Sequence, residues 1–121
     1  MATNQHNENA KILASYHVVP ELNHHLLEAL QFPKLLHSSH VAILVQSDLY
    51  HPQNHRRVAL TQEIFAEAGI DTFMVETHSI SKLGQTFEVI TLFAYAGLYL
   101  AVLEMIDPTP IPNVESFKKK L

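Results

Sequence analysis

The stretch "HVAILVQ", His40–Gln46, sets the class of the fold. Its centre is unbroken in Val, Ala, Ile and Leu, without the polar–apolar alternation of a strand with one wet face. A short, β-branched apolar run of this kind reads as a strand buried on both faces, as in a parallel sheet. Working outward, "SDLYHPQNH" reads as a loop. A long amphipathic helix follows from about Pro52 to Ala68, with Val58, Ile64, Phe65 and Ala68 on its inner face and Gly69 suited to the position just past its end. "DTFMVET", Asp71–Thr77, is a second strand. Upstream, "ILASYHVV", Ile12–Val19, is another short apolar run, closed by Pro20 and expected as a strand. "PELNHHLLEALQF" then reads as a helix with Leu22, Leu26, Leu27 and Leu30 as its stripe.

Past the loop "HSISKLGQ", the segment Thr86–Ile106 carries 15 uncharged residues between Glu88 and Glu104. A membrane span needs about 20, so a buried core or interface helix is expected, with Ala94, Ala96 and Gly97 allowing close approach of a neighbour. "DPTPIP" ends it, since alternating prolines cannot continue a helix. "NVESFKKKL" reads as a short last helix capped by Asn113. The order β-α-β-α-β-α-α predicts an α/β domain with a mostly parallel sheet. Three strands make a thin sheet, as in a doubly wound domain that lacks its first edge strand.

Composition narrows the function. The chain has 121 residues, is 47% hydrophobic and 17% charged, and carries a formal net charge of -4. One globular domain, residues 1–121, is expected, and the basic footprint of a nucleic-acid binder is missing. There is no cysteine, which excludes disulfides, thiolate metal sites and cysteine nucleophiles. The polar N-terminus has no apolar core of a secretory signal, so a cytoplasmic protein is expected. The glycines Gly69, Gly84 and Gly97 are too dispersed for a glycine-rich phosphate loop.

Candidate chemistry rests on carboxylate and imidazole. In "NQHNENAK", Glu8 is framed by Asn7 and Asn9, whose amides can hold a carboxylate while leaving one oxygen free to act as a base. The alternative is an exposed Glu in a frayed first turn. In "ELNHH", His24 and His25 diverge by about 100° on a helix, so at most one shares a functional face; a histidine there could be a general acid or a solvated surface residue. His51 and His55 lie four apart, a metal pair only if the helix already includes His51, and no third ligand follows at motif spacing. No metal or cofactor is expected.

"NENAK" followed by "PELNHH" resembles the bifunctional phosphoglucose/phosphomannose isomerases, in which an Asn-Glu-Asn-x-Lys segment precedes a Pro-Glu-Leu-Asn-His helix. "LYLAVLEMIDPTPIPNVESFKKKL" is similar to the end of that family: an apolar helix, Asp-Pro-Thr-Pro, then a short helix with a lysine. These segments match in order over nearly the whole chain. The resemblance implies a flavodoxin-like sugar isomerase (SIS) domain, a truncated three-layer αβα fold matching the second of the family's two SIS domains without its first strand.

It also implies aldose–ketose interconversion of hexose 6-phosphates through a cis-enediol. On that basis Glu8 matches the catalytic base and His24 the ring-opening histidine. Lys118, beside Lys119 and Lys120, matches the assisting lysine. Thr109 matches the threonine that accommodates either C2 epimer, and Asn7 and Asn9 fall beside the substrate. The chain departs from the family in having His25 and Leu26 where Asn-Glu usually follows. The Ser/Thr-rich phosphate loops belong to the family's first SIS domain, so activity is expected to need an N-terminal SIS domain, either separately encoded or, if the chain is a fragment, part of a longer protein, and the family's habit implies a homodimer. The partners expected are thus a hexose 6-phosphate and a protein, with no nucleic acid and no membrane. A non-catalytic module that binds a carbohydrate derivative or dimerises is the alternative.

Overall fold

The computed structural model describes all 121 residues. They form two compact units. One comprises residues 17–85, the other residues 1–16 with 86–121.

The first unit holds the sheet. β1 (Val41–Ser47) and β2 (Asp71–Thr77) run parallel in register from Val41 beside Asp71 to Ser47 beside Thr77. The crossover between them is α4 (Pro52–Glu67), which packs on both strands. Before the sheet come α2 (Leu22–Ala29) and α3 (Leu36–Ser39). The core gathers Leu30, Phe65 and Ile70, with Leu26, Leu27, Leu36, Ala42, Ile64 and Ala68 against it. α4 starts where expected because His51 precedes it: the His51 ring accepts from the Gln53 amide at 3.2 Å, and Pro52 fills the first turn. With its Nδ1 occupied as a cap, His51 is outside the helix and does not pair with His55 on one helical face. No group of three or more metal-ligating side chains forms. α4 ends at Gly69, whose φ of +75° is the left-handed conformation anticipated for it.

α/β class and parallel pairing are as expected, with two corrections. Ile12–Val19 is not a strand. Its residues adopt no regular secondary structure and pair with no neighbouring strand, and Leu13 and Tyr16 are exposed. The sheet therefore has two strands. Nor is β1 buried on both sides: Val41, Ile43 and, beside Ile43 on β2, Phe73 are exposed, while Leu44 is buried. Within this unit one helix, α4, covers the sheet, so the unit itself is two-layered.

The second unit contains α1 (Ala2–Gln5), a π-helical turn (His6–Ala10), most of α5 (Lys82–Leu103) and α6 (Pro112–Lys118). Ser81 caps α5, its hydroxyl accepting from the Gly84 amide at 3.1 Å. Phe93, Gly97 and Ala101 form a buried seam along α5, one residue per turn. At Gly97 the neighbour is the Gln5 backbone, and a Cβ there would meet the Gln5 carbonyl at an ordinary contact distance of 3.6 Å. Of the two expectations for this helix, burial in the core and an interface face, the core one holds only along that seam. Tyr95, Leu98, Tyr99 and Val102 make an exposed apolar stripe, and α5 is long and apolar enough by length and composition to cross a membrane. Asn113 is not the cap of α6; Pro112 takes the first helical position and Ile111 precedes it without a side-chain cap bond.

Candidate active site

Glu8 lies in the middle of the π turn, where the Lys11 amide reaches back to the His6 carbonyl. Such turns are uncommon and recur at functional sites. The turn is anchored from below. His6 is buried, its Nδ1 is 3.1 Å from the Ala2 carbonyl, and its ring meets Phe93 of α5 edge-on at 5.4 Å. A carbonyl can only accept, so Nδ1 carries the proton. Ala10, on the same turn, is fully buried. Glu8 itself is exposed and its carboxylate accepts no hydrogen bond. Glu8 therefore projects to solvent from a turn whose neighbours His6 and Ala10 are buried.

The flanking amides divide their work differently from the expectation that both orient Glu8. Asn7 pairs with Ala14 in both directions: its Nδ2 donates to the Ala14 carbonyl at 2.9 Å, and its Oδ1 accepts from the Ala14 amide at 2.7 Å. This side-chain ladder occupies both polar atoms of Asn7 and holds the segment after the turn at Ala14. Asn9 is half-buried and its amide makes no hydrogen bond.

Lys11 was quoted in the sequence motif but given no role. Its ammonium donates to the carbonyls of Glu8 at 2.5 Å, Pro110 at 2.6 Å and Pro108 at 3.3 Å. The prolines flank Thr109, so one side chain ties the base's own peptide to the Asp-Pro-Thr-Pro loop. Thr109 is exposed, and its amide donates to Asp107 Oδ1 at 2.9 Å. Lys118 closes α6 and is exposed, with Lys119 and Lys120 next to it. Glu8, Thr109 and Lys118 thus belong to one unit.

His24 belongs to the other unit, in the first turn of α2, and is exposed, as is His25. Its neighbour Asn23 fixes α2 to α4: Asn23 Nδ2 donates to Thr61 Oγ1 at 2.8 Å, and Thr61, fully buried, donates to the Arg57 carbonyl at 2.7 Å. Asn23 Oδ1 is buried without a partner.

Another polar cluster, unremarked in the sequence, closes the C-terminal ends of the strands, where open α/β sheets place ligands. Buried Gln85 accepts from the Ser47 hydroxyl and donates to Asp48 Oδ1 at 2.7 Å and the Ser79 carbonyl at 2.8 Å. The signal available was Ser47 at the end of β1 and Ser79 two residues past the end of β2. The bonds of Gln85 are internal, so its cluster serves to join the loops.

Comparison with known proteins agrees with the motifs. The family model for the bacterial phospho-glucose isomerase C-terminal SIS domain matches residues 2–121. The bifunctional phosphoglucose/phosphomannose isomerase of Caldicellulosiruptor bescii is 31% identical over 116 residues, which are 94% of this chain and 34% of that protein. The enzyme of the same name from Aquifex aeolicus is 27% identical over 117 residues, 97% of this chain and 36% of that protein. That from Pyrobaculum aerophilum is 29% identical over 119 residues, 98% of this chain and 34% of that protein. The chain spans about a third of the length of the curated relatives it matches. No solved structure matches it. With a family model that accounts for nearly every residue, the chain belongs to the bacterial phospho-glucose isomerase C-terminal SIS domain family.

Proposed function

We propose that this chain is the proton-shuttling part of a hexose 6-phosphate isomerase, interconverting glucose 6-phosphate or mannose 6-phosphate with fructose 6-phosphate through a cis-enediol. The observation that carries the reading is the state of Glu8: exposed, unpaired and seated on an anchored turn tied to the Thr109 loop. A base that moves a proton between C1 and C2 needs a free oxygen at a fixed position. In this reading Glu8 moves that proton, His24 opens the ring and Lys118 assists it. Thr109 and Asn9 contact the sugar, while Asn7 acts through its hold on Ala14. About two thirds of the length of the curated relatives lies outside the match, and in this reading that part supplies the phosphate grip and hence the binding energy that positions the sugar.

The partner in this proposal is a second copy or an N-terminal SIS domain, packed on the exposed α5 stripe, and the compartment is the cytoplasm. The stripe also favours a second reading, a dimerisation module without catalysis. One experiment separates them. The chain is mixed with the N-terminal SIS half of a relative such as the Caldicellulosiruptor bescii enzyme, and fructose 6-phosphate is converted and measured. Isomerisation is expected, with a loss of about a hundredfold or more in Glu8→Gln, the usual scale for removing a general base. A wild-type mixture no faster than the N-terminal half alone would sink the isomerase reading.

A further inference from the structure

We infer that Lys11 is a positioning residue that sets Glu8 and Thr109 relative to each other, and through them the rate and the C2-epimer preference of the isomerase. The inference rests on the isomerase reading for its catalytic part and on geometry for the rest. An ammonium has three N–H donors and no acceptor. The three carbonyls of Glu8, Pro108 and Pro110 match that capacity, so none is left for a substrate oxygen. Lys11 therefore acts as a tie and not as a contact to the sugar.

The acceptors explain the sequence of the loop. Proline has no N–H and holds φ near −65°, so "PTP" cannot close its own backbone bonds and keeps an open form. Its two proline carbonyls both turn to Lys11, one on each side of Thr109. Asp107 takes the only amide between them. Thr109 is thus held by its own amide and by the carbonyls on either side. At the other end, Lys11 has φ +57°, a conformation that is costly for a residue with a side chain. That backbone turns the chain out of the π turn and lets the side chain fold back onto the Glu8 carbonyl. The bonds span 97 and 99 residues of sequence, so displacement of either motif is passed to the other.

Two measurements test this, the first independent of activity. In Lys11→Met, amide hydrogen exchange by NMR is expected to quicken about tenfold at Thr109 and around Asn9, the scale of losing charge-assisted hydrogen bonds. Leu44 and Val75 of the sheet serve as the folding reference and should not change. Unaltered exchange at Thr109 overturns the tie. The second uses the chain assembled with an N-terminal SIS half. Lys11→Met should lower kcat for both substrates by unequal factors, about tenfold for the more affected one, with little change in KM, so that the glucose 6-phosphate to mannose 6-phosphate ratio shifts.

Because the chain has no cysteine, Lys11→Cys can be alkylated with 2-bromoethylamine before assembly, restoring an ammonium at nearly the same reach. Recovery of kcat and ratio on alkylation supports positioning. Faster exchange with kcat and ratio both unmoved overturns the catalytic part. A wild-type assembly without activity overturns it together with the isomerase reading, while the exchange result still decides the tie.

Discussion

The Asn23 side chain donates to the Thr61 hydroxyl at 2.8 Å, joining α2 to α4 across 38 residues of sequence, one position before the proposed ring-opening histidine. Thr61 is fully buried, and the Asn23 carbonyl oxygen beside it has no partner. Thr61→Val would leave the Asn23 amide unpaired as well, at a cost of about 1–3 kcal/mol. Asn23→Leu together with Thr61→Val removes both polar groups and should cost less than Thr61→Val alone. Urea unfolding of the single and double variants measures this, and a double variant weaker than the single would contradict the account.

Asn7 and Ala14 form a two-way pair between side chain and backbone. Asn7→Ala should release the segment after Lys11 at about 1–2 kcal/mol locally, for two neutral hydrogen bonds near the surface. Exchange at the Ala14 amide would report it. Glu8→Gln, by contrast, should leave stability within about 0.5 kcal/mol, because the carboxylate is exposed and bonds to nothing. A marked thermal shift in Glu8→Gln would mean that the carboxylate has a structural partner.

These residues show what could be read without the fold. β2 coincides with its predicted bounds, and β1 is displaced by one residue, because apolar runs between turn signals are local information. Ile12–Val19 has the same local pattern yet forms no strand. A strand needs a neighbour to pair with, which the local pattern does not encode, and the sheet stops at two strands. The likeness of "NENAK" and "ELNH" to the isomerases pointed to Glu8 and His24 as candidates. The tie from Lys11 to Pro110 was not legible, since nothing in either segment indicates a contact 99 residues away.

The apolar stripe of α5 bears on assembly. Tyr95 is 58% exposed and Tyr99 64% exposed, well above what a core helix shows. Burying such a stripe is favourable at roughly 25 cal/mol per Å² of apolar surface. Tyr95→Lys with Tyr99→Lys should abolish any self-association seen by light scattering and leave the buried seam of Phe93, Gly97 and Ala101 intact. Unchanged association would move the interface off this face.

Two helices end in the same motif with different residues at the left-handed position. After α4, Ile70 bonds back to Phe65 at 2.9 Å and Gly69 to Ala66 at 2.9 Å, with Gly69 at φ +75°. After α5, Ile106 bonds back to Ala101 at 2.8 Å and Met105 to Val102 at 3.0 Å, with Met105 at φ +55°. Each pair satisfies the last carbonyls of its helix. A Cβ costs about 1–2 kcal/mol in this conformation. Gly69→Ala should therefore destabilise by about 1 kcal/mol, and its Cβ would meet only the His37 ring at ordinary contact distance, 3.7 Å. Met105 is 93% exposed and contributes little packing. Met105→Gly removes the Cβ penalty but frees the unfolded chain, which returns part of the gain, so a stabilisation of up to about 1 kcal/mol is expected. Thermal unfolding of both variants checks the pair: opposite signs support this reading, and destabilisation by Met105→Gly would show that the methionine side chain holds the end of α5.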